Sequence, residues 1–226
     1  MIDGIYAFWK PKGPTSHRFL NDIRRIVGRD VKVGHAGTLD PLAEGVLVVG
    51  IGRSTKMLET EVQKEKEYVA EVTLGVSSST DDEEGEKTIY PVLSIPGLSS
   101  VSAAAESFVG EINQVPPVYS AIKVGGKEAY KFARKGVDLK MKPRPVKIIS
   151  MEILEYDYPR LVLRVATGKG AYIRSLARDL GMLLGTGGYL SGLKRTRVGE
   201  YVESSAFSVL GFKKALESGT LSRNGS

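Results

Sequence analysis

Hydrophobic spacing changes character several times along the chain, and each change marks an element. "GIYAFWKPKG" (4–13) alternates and then runs into a Pro/Gly turn, which predicts a short strand and a loop. In "TSHRFLNDIRRIVGRD" (15–30), Phe19, Leu20, Ile23, Ile26 and Val27 fall on one helical face. Thr15 or Ser16 can cap that helix, and Gly28 suits the position just past its end. "GVLVVGIG" (45–52) reads as a short buried strand, and "STKMLETEV" (54–62) as one or two helical turns. "YVAEVTLGV" (68–76) alternates, with Tyr68, Ala70, Val72 and Leu74 on one side and Glu71 and Thr73 on the other. The acidic "DDEEGE" (81–86) reads as a solvated hairpin loop.

"SVSAAAESFVG" (100–110) predicts a helix ending at Gly110, and "KEAYKFARKG" (127–136) a shorter one. "VKIISMEILEYD" and "RLVLRVAT" read as strands. "AYIRSLARDLG" (171–181) turns Ile173, Leu176, Ala177 and Leu180 inward, with Gly181 as its stop. A strand-like "LKRTRVGEYV" and a last helix, "FSVLGFKKALESG", complete the pattern. Strands mixed with scattered helices, without regular βα alternation, predict an α+β fold on a mixed, mainly antiparallel sheet.

Composition narrows the class. At 226 residues, 42% apolar and 26% charged, the chain suits a soluble globular protein with a substantial core. No apolar run approaches bilayer-spanning length, and the opening "MIDGIYAFWKPKG" lacks the order of a secretory signal. Without cysteine there is no disulfide, thiol nucleophile or thiolate metal site. The cytoplasm is the expected location.

The net charge of +6 is unevenly placed. Residues 123–147 hold nine Lys/Arg against Glu128 and Asp138, a local +7, with Tyr130 and Phe132 interleaved. A basic run is most often a solvated face. Concentrated positive charge with aromatics is also the footprint of a polyphosphate ligand such as nucleic acid.

Several chemistries fail on spacing. "GIGRSTK" lacks the four residues a Walker loop needs, and no ribose-binding acid follows "GVLVVGIG" in a βαβ pattern. The two histidines, His17 and His35, form no zinc motif, and no Gly-x-Ser-x-Gly elbow supports a serine triad. What remains is a carboxylate. "VGHAGTLDPLAEGVLVVGIG" (33–52) places Gly34, His35, Gly37, Asp40, Pro41 and Gly45 within twelve positions. Pro41 biases Asp40 toward extended backbone, and the flanking glycines permit close approach by a ligand or another backbone. Such a carboxylate can serve as nucleophile or base with a cation beside it, and Arg174 is a candidate partner. A loop Asp is more often a turn residue or cap, and a strand Tyr such as Tyr68 more often core.

These residues carry a resemblance. "GHAGTLDPLAEGVL" is similar to the catalytic loop of the bacterial TruB-type tRNA pseudouridine synthases, Gly-His-x-Gly-x-Leu-Asp-Pro-x-Ala-x-Gly. "YAFWKPKGPTS", "KEYVAEVTLG", "QVPPVYSAIKVGGKEAYKFARKG", "GKGAYIRSLARDLG" and "LKRTRVG" resemble further blocks of that family in the same order, over residues 2–212. The resemblance implies a pseudouridine synthase fold with flanking helices and a central catalytic cleft. It implies isomerisation of a uridine in the T-arm loop of tRNA, at the position conventionally numbered 55, by a monomer without metal, cofactor or membrane. Asp40 is then the essential carboxylate, Tyr68 stacks on the base and helps remove the C5 proton, and Arg174 ion-pairs with Asp40. Tyr172 and Leu193 line the pocket, and His35 fills the space of the flipped base. Lys123, Lys127, Lys131 and Arg134 are implied phosphate contacts, with Lys10, Lys12 and Lys56 as further candidates.

Two features depart from the family pattern. In "SSSTDDEEG", Ser79 stands where relatives carry the first Asp of their element, whereas Asp82 matches the second. One catalytic domain is expected over 1–220, with a basic insertion at 119–147, a tail at 221–226 and no C-terminal RNA-binding (PUA) domain. Two other readings use the same residues. A non-catalytic RNA-binding module would need only the basic segment. A glycoside-type hydrolase would need a second constrained carboxylate.

Overall fold

The computed structural model describes residues 2–221 apart from 121, 130, 131, 133–136 and 138. In chain order the elements begin with β1 (Gly4–Lys10), α1 (Ser16–Val27), β2 (Val33–His35) and β3 (Ala43–Ile51). A 3-10 turn (Gly52–Met57) leads into α2 (Leu58–Gln63) and β4 (Lys66–Leu74). There follow β5 (Val76–Ser78), β6 (Lys87–Ile89), α3 (Leu98–Glu106), β7 (Gly110–Gln114), β8 (Lys123–Val124) and β9 (Lys127–Glu128). The chain continues through β10 (Arg144–Asp157), β11 (Arg160–Thr167), α4 (Ile173–Leu183), β12 (Gly188–Val198), β13 (Tyr201–Val202) and α5 (Val209–Glu217). These elements divide into two compact units: Met1–Tyr68 with Leu193–Ser226, and Val69–Gly192. β4 and β12 contribute residues to both.

In the first unit β3 is the organising strand. β1 pairs with it antiparallel along its length, from Gly4↔Ile51 to Lys10↔Gly45. Its other edge is shared. β2 takes the far end antiparallel (Val33↔Ile51, His35↔Val49), and β12 takes the near end parallel (Leu193↔Ala43, Arg195↔Gly45). The β2–β3 connection, residues 36–42, therefore opens where β12 displaces β2. Gly45 makes that register possible: its φ is +123°, and a Cβ there would meet the Arg195 backbone.

Helix α1 forms as its sequence predicts. Thr15 Oγ1 accepts the Arg18 amide at 3.1 Å, Phe19, Leu20 and Ile23 are buried, and Gly28 (φ +108°) returns its N–H to the Arg24 carbonyl at 3.0 Å. Its apolar face packs with Phe8, Leu39, Leu47, Val49, Ile51 and Phe212 in one core cluster. Leu39 thus ties the residue before Asp40 into the core.

In the second unit β10 is flanked antiparallel by β11 and β7. Leu161, Leu163 and Val165 on β11, and Ala70, Val72 and Leu74 on β4, are buried at the strand period. α4 buries Ile173, Leu176, Ala177 and Leu180 as expected but runs two residues past Gly181. Gly181 is no helix stop. A Cβ there would meet the Gly187 backbone, so its role is close packing. Helix α3 likewise ends at Glu106, and Gly110 opens β7 instead. The acidic hairpin differs most from expectation. β5 and β6 pair as predicted and Glu83, Glu84 and Glu86 are exposed, but Asp82 is 3% exposed and Asp81 half-buried. Both are held by arginines of α4, described below. Of the helix expected over 127–136, Lys127 and Glu128 form β9 instead, Ala129 and Phe132 are helical, and the remainder lies outside the described residues.

Candidate active site

The loop carrying Asp40 is fastened residue by residue. Ser16, the buried first residue of α1, places its Oγ 2.8 Å from both the amide and the carbonyl of Leu39. The Gly13 amide donates to the Pro41 carbonyl at 2.8 Å, and the Ala43 amide closes onto the Asp40 carbonyl at 3.0 Å. From β1, Lys10 Nζ donates to the carbonyls of Ala43 (2.7 Å) and Pro11 (2.9 Å). Lys10, expected as a phosphate contact, is instead fully buried and committed to the loop backbone. Burial pulls its ammonium down to about 8, an effect that the Asp40 carboxylate opposes.

Arg195 on β12 completes the scaffold. Its Nε donates to the Val46 carbonyl at 2.8 Å, its Nη2 to Gly37 at 3.1 Å, and its Nη1 reaches Thr38 at 3.5 Å. Arg195 is 1% exposed, with Tyr68 and the Asp40 carboxylate among its ionisable neighbours. Burial lowers its pKa from the ordinary arginine value, and those two groups oppose the effect. Tyr68 is buried on β4, two residues from Lys66 and on the same face of that strand. Lys66 is also buried, its ammonium on the carbonyls of Val62 and Lys64. Burial and the nearby Arg195 pull it to about 8.

His35 ends β2, half-buried opposite Val49. Burial first, then Arg195 and His17, hold its imidazole below the usual histidine pKa, which favours the uncharged ring. Its Nδ1 is buried without a hydrogen-bond partner among the described residues. Leu193 lies opposite Ala43 and packs against the core cluster that contains Leu39.

The second unit holds the other expected site residues. Arg174, in the first turn of α4, donates from Nη1 to Asp82 Oδ2 at 3.2 Å and from Nη2 to the Tyr119 carbonyl at 2.8 Å. Asp82 also accepts from Thr80 Oγ1 and from the Glu84 amide at 3.0 Å. The carboxylate that matches the family's second Asp therefore orients Arg174, although Ser79 replaces the first. Tyr172, just before α4, exchanges two backbone hydrogen bonds with the buried amide of Gln114, at 2.8 and 3.0 Å. One turn on, Arg178 pairs with Asp81 at 2.7 Å. Burial raises the Asp81 pKa, and Arg178 opposes that rise.

The basic segment is only partly described. Lys123 and Lys127 belong to the β8–β9 hairpin, whose turn uses Gly125 (φ +58°) and Gly126 (φ +83°). Lys131 and Arg134 lie outside the described residues. Lys12 and Lys56 are exposed in the first unit. Sequence reasoning passed over Ser16, Lys66, Asp82 and Arg195 as functional residues. Each stands among polar or charged neighbours ("GPTSHR", "QKEKEY", "TDDEEG", "LKRTR"), so no local pattern set it apart.

Comparison with known proteins fits this geometry. Residues 24–173 match the TruB family pseudouridylate synthase N-terminal domain, and residues 174–220 match the tRNA pseudouridylate synthase B C-terminal domain. The chain is 45% identical over 202 residues to a tRNA pseudouridine synthase B of Parabacteroides distasonis, covering 87% of this chain and 86% of that protein. It is 43% identical over 219 residues to that of Phocaeicola vulgatus, covering 94% and 93%. Among solved structures, a Cbf5–Nop10–Gar1 complex matches with a TM-score of 0.75 at 29% identity, over 96% of this chain and 56% of that one. An H/ACA RNP bound to a substrate RNA containing 2′-deoxyuridine matches at 0.70 and 27%, over 97% and 56%. The chain thus spans a little over half the length of those solved chains. With a family match across most of its length and relatives above 40% identity, the chain belongs to the TruB family of pseudouridylate synthases.

Proposed function

We propose that the protein isomerises a uridine of tRNA to pseudouridine, in the T-arm loop at the position conventionally numbered 55, with Asp40 as the essential carboxylate. The relatives named tRNA pseudouridine synthase B support tRNA as the substrate. The observation that carries the chemistry is the fastening of the Asp40 loop, with Ser16 holding the Leu39 peptide and Arg195 the Gly37 carbonyl, in the unit that also carries the buried Tyr68. The reaction breaks the bond between ribose C1′ and uracil N1, turns the base, forms a bond from C1′ to C5, releases the C5 proton and leaves N1 carrying a proton in its place. Asp40 meets the first demand, as nucleophile at C1′ or base at C2′. Tyr68, buried on β4 in the same unit, meets the last by stacking on the base and helping to remove the C5 proton.

The target base must leave its stack, at a cost of a few kcal/mol. His35 suits the vacated space, because a neutral ring stacks without the cost of desolvating a charge. Leu193 and Tyr172 supply apolar pocket wall, and Arg174 a cation for the half-buried Asp40. The last two are assigned on their motif. Phosphate contacts fall to Lys123, Lys127, Lys131 and Arg134 of the basic segment, with Lys12 and Lys56 in support. The reading needs no metal or cofactor, and it places the enzyme in the cytoplasm as a monomer of one catalytic domain.

The test is to treat an unmodified tRNA transcript with the protein and map pseudouridine by carbodiimide-dependent primer extension. One new stop at the T-loop uridine is expected. Release of free uracil would identify a glycosylase instead, and unmodified bound RNA a binding module.

A further inference from the structure

We propose that Arg195 is the positioning residue of this active site, holding the Asp40 loop to β3 through backbone carbonyls. The proposal rests on the role given above to Asp40. A guanidinium carries five N–H donors in a rigid fork, so one side chain can tie several segments together. Arg195 ties two: β3 at the Val46 carbonyl and the loop at Gly37 and Thr38.

The choice of partners is informative. A buried cation retained for stability alone is expected to sit on a carboxylate with close hydrogen bonds. The hydrogen bonds of Arg195 run to backbone carbonyls, and the carboxylate in its field is Asp40. The anchor is rigid at its base as well. Arg195 lies opposite Gly45 in the parallel β3–β12 register, where a Cβ on Gly45 would strike its backbone. At the other end, Gly37 (φ +92°) bends the loop, and a Cβ there would lie 3.6 Å from Nη1, so guanidinium and loop backbone meet closely.

Lysine cannot replace this arrangement. It offers a single ammonium on a flexible stem and cannot reproduce the fork that spans the loop and β3 at once. In this position it would also share the surroundings of Lys10 and Lys66, with Asp40, Tyr68 and His35 as the remaining ionisable neighbours.

The experiment compares wild type, R195K, R195Q and D40N in the full chain. It measures single-turnover tritium release from a T-arm minihelix labelled at uridine C5, RNA affinity by filter binding, and amide hydrogen exchange over residues 36–42. For R195K we expect a rate about a hundredfold lower, since displacement of a reacting group by about 1 Å costs that much. RNA affinity should stay within about threefold, with faster exchange confined to residues 36–42. R195Q should be slower still, and if it fails to fold, R195K decides. An R195K rate within about threefold of wild type would overturn the proposal. So would exchange that rises uniformly across the first unit in step with lost thermal stability, since that marks a purely structural role. If wild type itself releases no tritium, the assigned reaction fails. The clamp is then judged on exchange alone, and unchanged protection of residues 36–42 in R195K would overturn it.

Discussion

Ser16 Oγ sits 2.8 Å from both the amide nitrogen and the carbonyl oxygen of Leu39, the residue immediately before Asp40. One hydroxyl at the start of a helix thereby fixes the peptide that aims the carboxylate. Ser16→Ala removes it and leaves two buried backbone groups unpaired. The expected loss is about 1–3 kcal/mol of stability in urea unfolding. The single-turnover rate of the still-folded protein should also fall, by about tenfold or more. Unchanged chemistry in a destabilised variant would show that the staple serves the fold alone.

Gly45 and Gly13 both have positive φ, +123° and +111°, but only Gly45 is crowded. Gly45→Ala should cost more than about 4 kcal/mol, because it adds a clash with the Arg195 backbone to the strain. Gly13→Ala should cost only the backbone strain, about 1–3 kcal/mol. Paired denaturation curves decide the matter, and equal losses would contradict the packing described for β3 and β12.

Asp82 and Arg174 form a pair in which both side chains are nearly inaccessible, at 5% and 7% exposure. Asp82→Ala leaves a buried guanidinium without this carboxylate, and about 3–5 kcal/mol should be lost. Asp82→Asn keeps a carbonyl acceptor in place and should lose distinctly less. Thermal unfolding of the two variants side by side checks the order.

Lys10 and Lys66 give a pH signature. Burial pulls each from 10.5 to about 8, while an unfolded lysine keeps its proton up to 10.5. Between those values unfolding takes up protons, so their contribution to stability rises with pH across that window. Below pH 8 both states are charged and the unfavourable contribution is constant. Lys10→Met removes one of the two titrations. Its Tm relative to wild type should therefore be highest near about pH 7 and decline toward about pH 10. A difference that is flat or grows with pH would contradict the assignment.

What could be read in advance was local. Periodicity located β1, α1, β4, β10, β11 and α4, because each element's apolar face is written in neighbouring residues. The Asp40 loop stood out because glycine and proline restrict backbone in a way a sequence displays. The misreadings share a cause. Lys10 looked like a surface cation and the acids 81 and 82 like a solvated turn, yet each is buried by partners distant in the chain: Ala43 for Lys10, Arg174 and Arg178 for the acids. Arg195 bonds Val46 across 149 positions, and no local pattern announces such a contact. Gly181 was read as a stop signal because its crowding against Gly187 exists only after α4 has packed.

The central claim is that Asp40 performs the chemistry. Single-turnover release of tritium from uridine C5 tests it most directly, because the isomerisation leaves the mass of unlabelled RNA unchanged. Asp40→Asn keeps the shape of the side chain and removes its charge. The account predicts complete label release by wild type and none above background by Asp40→Asn, with RNA affinity preserved. Tritium release by Asp40→Asn at a rate near wild type would contradict it.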